Sequence, residues 1–213
     1  MSYITPDEFS IFTVFHFGMV HSLSLALLLV MFCYCVAVRE IKCNLWQGKC
    51  PPGWKTFVRP PGIRICLRIF NQNATYLEAQ NVCRRHHNSR IHGVANVEEQ
   101  SWVKMKARKL ISENPGFLWL GARRKSFCYK VQADLARDEK CNKKTDVFEW
   151  DDQITDNKFM FTQWDTTIDA PNGILSNGAP EDCAAMNVNE NPGYIDDKDC
   201  SLPQSGFLCG MTA

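Results

Sequence analysis

Between residues 164 and 200 the chain is rich in Asp, Glu and Asn, whose side-chain oxygens are of the kind that can hold a cation. Calcium takes about six to eight oxygen ligands, mostly carboxylates and carbonyls, and acidic and amide side chains from separate loop positions suit it in kind. Without a metal, mutual repulsion among the carboxylates would loosen such a loop. Asp and Asn are also common turn caps, so residue chemistry alone leaves both readings open.

Other constellations are weaker. Glu149, Asp151 and Asp152 cluster, and paired carboxylates can run acid–base chemistry in glycoside hydrolysis. The chain has no nucleophile elbow, no H-E-x-x-H and no phosphate loop, so a binding function is expected over an enzymatic one. His86, His87 and His92 lack metal-ligand spacing on one helix face. Trp54, Trp119, Trp150 and Trp164 read as core, whereas Tyr194 is a loop aromatic able to stack on a sugar ring.

Helices and strands must position these loops. Thr75-Tyr76-Leu77-Glu78 reads as a helix start, with Thr capping a free amide and Glu reaching back, and its apolar positions run to Cys83. Asn96-Val97-Glu98-Glu99 repeats that logic ahead of Val103, Ala107, Leu110 and Ile111 at helical spacing. The other side of that helix, with Lys104, Lys106, Arg108 and Lys109, reads as a solvated face. Strand-like patterns follow at residues 117–122, 148–150, 159–164 and 206–209. Two helices early and short strands late predict an α+β fold.

Net charge is +1 over 213 residues, too close to zero for a nucleic-acid partner held by phosphate neutralisation. Eleven cysteines without paired C-x-x-C spacing point to disulfides, which persist in oxidising compartments. The route there is an uncharged stretch at residues 11–38. Residues 1–37 read as a signal peptide, with Met19 an internal start and Ala37 at the cleavage point, giving a secreted, extracellular product. The alternative is a signal anchor in a single-pass type II membrane protein with the folded domain outside. Residues 38–49 form a stem, and Asn73-Ala74-Thr75 is an acceptor for N-glycosylation, although Thr75 is also the helix cap.

Cys50-Pro51-Pro52-Gly53-Trp54, Ala79-Gln80-Asn81-Val82-Cys83, Trp119-Leu120-Gly121-Ala122, Glu181-Asp182-Cys183 and Phe207-Leu208-Cys209 occur in a characteristic order. In that ordered set the chain resembles the C-type lectin-like domain family, in the long form with an N-terminal hairpin disulfide, over residues 50–210. The resemblance implies two helices, small antiparallel sheets and a long loop region stapled by Cys50–Cys66, Cys83–Cys209 and Cys183–Cys200. Cys128 and Cys141 depart from the common pattern and are paired with each other, inside a basic insertion at 123–147. Residues 123–144 hold eight bases against three acids, a local charge of +5. That charge is read as solvation, with an anionic glycan or acidic protein surface as the functional alternative. Cys33 and Cys35 leave with a cleaved signal, and the unpaired stem residue Cys43 suggests a disulfide-linked homodimer.

In sugar-binding relatives the long loop region holds a calcium ion that also coordinates two sugar hydroxyls. What the resemblance implies for this chain is a ligand set of Asn172, Glu181, Asp196 and Asp197. The leading ligand of the first motif is replaced in Ala170-Pro171-Asn172, since Ala has no side-chain oxygen unless Asp169 substitutes. In relatives with calcium the bond before that proline is cis, so Ala170–Pro171 is the place to look. The expectation is extracellular recognition of a glycan, with calcium as a conditional cofactor and a role in innate immunity. The alternative is a calcium-independent module that binds a cell-surface protein or a lipid.

Overall fold

The computed structural model describes residues 48–129, 137–173 and 179–213; the expectations placed on residues 1–47, Cys43 among them, and on Lys130 and Asp134 lie outside these. In chain order the elements are β1 (Lys55–Arg59), β2 (Ile63–Phe70), α1 (Tyr76–Arg85), β3 (Arg90–Ile91), α2 (Val97–Leu110), β4 (Phe117–Arg124), β5 (Phe148–Trp150), β6 (Cys183–Asn187), β7 (Ile195–Lys198) and β8 (Gly206–Thr212). Among the described residues the strands form one sheet in the order β1-β2-β8-β4-β6-β7, with β3 on β8 and β5 on β4. Pairing is antiparallel except for β4 with β8, which is parallel.

Strand alternation divides the core in two. Successive side chains leave opposite faces of a strand. Cys66, Trp119, Ala185, Phe207 and Cys209 therefore join one cluster with Tyr76, Ala79, Val82 and Cys83 of α1. Ile65, Leu67, Leu118, Leu120, Met186 and Leu208 join the other with Val103 and Ala107 of α2. The two helices cover opposite faces, and each buried stripe follows the 3.6-residue period.

The helix starts follow the caps. Thr75 accepts from the Glu78 amide, and the Glu78 carboxylate accepts from the Thr75 amide in return. Asn96 likewise accepts from the Glu99 amide. Glu99 differs from the expected reciprocal cap. Its carboxylate takes the Ala95 amide and a bidentate pair from buried Arg59, both at 2.7 Å, which ties β1 to α2.

Four disulfides join Cys50 to Cys66, Cys83 to Cys209, Cys128 to Cys141 and Cys183 to Cys200. The second ties α1 to β8, and the fourth ties β6 to the turn after β7.

One expected strand is absent. Residues 159–164 hold a short 3-10 turn, Met160–Thr162, followed by a single bridge from Trp164 to Ile195. The adjacent Met160 and Phe161 are both buried, which alternation does not permit in a strand with one solvated face. The segment instead supplies rings: Phe161 stacks on Trp150 at 4.6 Å, and Trp164 packs on Phe148 at 5.0 Å.

Candidate functional site

The end of β4 sets the site. Leu118, Leu120 and Ala122 point into the α2-side core, so alternation sends Arg124 inward and Arg123 outward. Arg124 is buried, with its guanidinium 4.9 Å from the Phe148 ring centre. Its Nε donates to Asp182 Oδ1 at 3.1 Å, and its Nη2 donates to the Glu181 carbonyl at 3.0 Å and to Asp197 Oδ2 at 2.7 Å. Arg123 binds Asp151 on the other face.

Asp197, fully buried on β7, is the hub. Its Oδ1 accepts from the Asn172 amide at 3.0 Å and its Oδ2 from the Gly173 amide at 2.7 Å. The loop 170–173 is thus pinned to β7 and to Arg124 through one carboxylate. Gly173 has φ +84, and a Cβ there would stand 3.2 Å from the guanidinium, so both conformation and space favour glycine. The Ala170–Pro171 bond is cis.

Burial raises the pKa of Asp197, against the pull of Arg124 and the two amides. Glu181 has no such set of donors among the described residues. Burial first, then the Asp197 charge, push its pKa up to about 7. Asp182 and Asp196 are raised as well, again chiefly by burial. Two polar atoms of the cluster are buried without a partner among the described residues, Arg124 Nη1 and Asn172 Oδ1.

Of the expected ligand set, the structure brings together Asn172, Glu181 and Asp197 around Arg124. Asp196 points to the opposite sheet face and pairs with Lys198, because neighbours on a strand alternate. Asp169 stands 66% exposed and is bound by Lys144, whose Nζ also donates to the Ala170 carbonyl at 2.7 Å. Asp169 therefore does not take the place of the oxygen that Ala170 lacks. Tyr194 is 44% exposed but precedes β7, about 10 Å of extended chain from Asp197.

These residues do not fit a calcium ion. Both Asp197 oxygens already hold donors, a cationic side chain lies against them, and Ala170 presents no ligand. Among the described residues no three His, Cys, Asp or Glu side chains meet as a metal group. Arg124 corrects the expectation of solvated charge in the insertion: its place two residues beyond Ala122 on the buried face of β4 marks it as internal.

The family pattern for C-type lectin domain-containing protein 141/158 matches residues 63–211. The chain belongs to the C-type lectin domain family. No curated protein sequence matches it. Among solved structures, CEL-I from Cucumaria echinata is similar, with 21% identity over 76% of this chain and 96% of that one and a TM-score of 0.53. A calcium-independent type II antifreeze protein aligns with 20% identity, 77% and 95% coverage and a TM-score of 0.51. The cow CD23 carbohydrate-recognition domain, solved in the presence of an oligosaccharide, aligns with 20% identity, 78% and 97% coverage and a TM-score of 0.50. These likenesses fix the C-type lectin fold. Domains of this family are in general binding modules.

Proposed function

We propose that this C-type lectin domain is a glycan-recognition module that works without calcium, with the Arg124 guanidinium supplying the positive charge that the metal supplies in sugar-binding relatives. The observation that carries the reading is the 2.7 Å contact from Arg124 to Asp197, which also organises the Asn172 and Gly173 amides. A fixed cation among buried carboxylates removes the repulsion that otherwise calls for a metal.

A hydroxyl is donor and acceptor at once, so sugar hydroxyls have the chemistry to accept a hydrogen bond from Arg124 Nη1 and to donate one to Asn172 Oδ1, the two buried atoms of the cluster with no partner among the described residues. The calcium-independent antifreeze protein of the same fold is in keeping with a metal-free site. The cysteine-rich domain behind an uncharged N-terminal stretch supports export, secreted or anchored, and an extracellular ligand. Phe127 and Tyr129, each about half exposed beside Cys128, favour a second reading in which a protein surface is the partner.

A glycan array read with calcium and with a chelator tests the proposal. Binding should be the same in both, and millimolar calcium should move the melting temperature by less than about 1 °C. A calcium-induced rise of several degrees, or glycan binding abolished by the chelator, would overturn it.

A further inference from the structure

On the sheet face away from Arg124, a cleft of about 260 Å³ opens between the end of α1, β3 and the residue after β5. Arg84 and Arg90 reach it from two different elements, beside Gln80, Asn88 and Asp151, with Ile91 at its apolar edge. The charges are lopsided. Asp151 is engaged, since it accepts from Arg123 at 2.6 and 3.1 Å, from the Tyr76 hydroxyl at 3.0 Å and from Gln80 Nε2 at 3.4 Å.

Arg84 and Arg90 are exposed and have no ion-pair partner among the described residues. A basic residue in the last turn of a helix complements the helix dipole, which accounts for Arg84. It does not account for Arg90, which stands on β3.

We infer that this cleft is a second binding site, for a saccharide unit that carries a sulfate or carboxylate group. Two guanidinium forks match the paired oxygens of such anions in a bidentate manner. The Oε1 of Gln80 and the amide of Asn88 have no partner among the described residues, and amides both accept from and donate to hydroxyls. The volume lies at the small end for ligand sites, enough for about one sugar ring. The site does not use Arg124, so it stands or falls apart from the reading above.

The experiment titrates the full chain with a heparin-derived hexasaccharide, its desulfated, re-N-acetylated counterpart and inorganic sulfate, following the backbone amides of Asn88 and Ile91 by NMR. The expected result is saturable shifts at those amides with the sulfated saccharide, tenfold weaker affinity in Arg84→Gln/Arg90→Gln and in Arg90→Gln alone by a smaller factor, and a change below twofold in Lys140→Gln/Lys143→Gln. Desulfated saccharide that keeps its carboxylates should bind more weakly but at the same amides. The inference is overturned if the double variant binds within threefold of the parent, if the Lys140/Lys143 variant loses as much, or if inorganic sulfate alone matches the saccharide. Both arginines are exposed, and an unchanged melting temperature verifies that the variants are folded.

Discussion

At the scale of single residues, the site turns on one guanidinium. Replacing Arg124 with Met leaves Asp197 buried beside only two backbone amides, and an uncompensated buried charge costs about 3–5 kcal/mol. Adding Asp197→Asn removes that charge, so the double variant should recover at least about 1 kcal/mol relative to the sum of the singles. Urea unfolding of the four proteins gives the coupling; strictly additive losses would remove the pair from the account. Glu181 offers a pH test. Its pKa is about 7 in the fold against an ordinary value of 4.5. The native state then holds more protons than the unfolded chain between those values, and this group's share of stability falls as pH rises through that window. Glu181→Gln should flatten the decline from pH 5 to 8 and be more stable than the parent at pH 8 by about 1–3 kcal/mol. A difference between variant and parent that stays constant with pH would show that Glu181 does not titrate there.

At the scale of elements, local chemistry set what was legible. The α1 start rests on a reciprocal hydrogen-bonded cap, a short-range feature written in four consecutive residues. Thr75→Ala should cost about 1 kcal/mol and Thr75→Ser much less, measured by thermal unfolding in an Asn73→Gln background so that glycosylation is held constant. If Thr75→Ala melts with its parent, the cap carries none of the stability. Helices with a 3.6-residue stripe and strands flanked by aromatics could be read in the same way. Residues 159–164 could not, because a short apolar run has no period that separates a strand from a buried turn. The site was half legible for a related reason. Asn172, Glu181 and Asp197 were marked by motif spacing, but Asp196 was assigned with Asp197 although strand neighbours face apart. Arg124 was hidden by composition, since seven other bases surround it in the insertion and only the register of β4 separates it from them.

At the scale of the whole molecule, disulfides add covalent closure to the sheet. Among the described residues from 159 to 200 that build the site there are two short strands, β6 and β7, and Cys183–Cys200 closes the chain around them, while hydrogen bonds to Asp197 and from Lys144 pin the stretch before them. The disulfides differ in how much chain they close. Cys83–Cys209 spans 126 residues, whereas Cys50–Cys66, Cys128–Cys141 and Cys183–Cys200 span 16, 13 and 17. If the bonds act mainly by restricting the unfolded chain, the long closure contributes about 5 kcal/mol and each short one about 3. Paired Cys→Ala variants should therefore rank with Cys83/Cys209 as the most damaging in denaturant midpoint. The Cys128/Cys141 variant separates stability from function. That bond staples the insertion that carries Lys144, and Lys144 holds the Ala170 carbonyl at the site. Removing the bond should cost about 3 kcal/mol and also weaken glycan binding at temperatures where the domain stays folded. The Cys50/Cys66 variant, similar in loop length but on the β1–β2 hairpin, should lose comparable stability with binding intact. Equal effects of the two variants on binding would mean that the insertion takes no part in shaping the site.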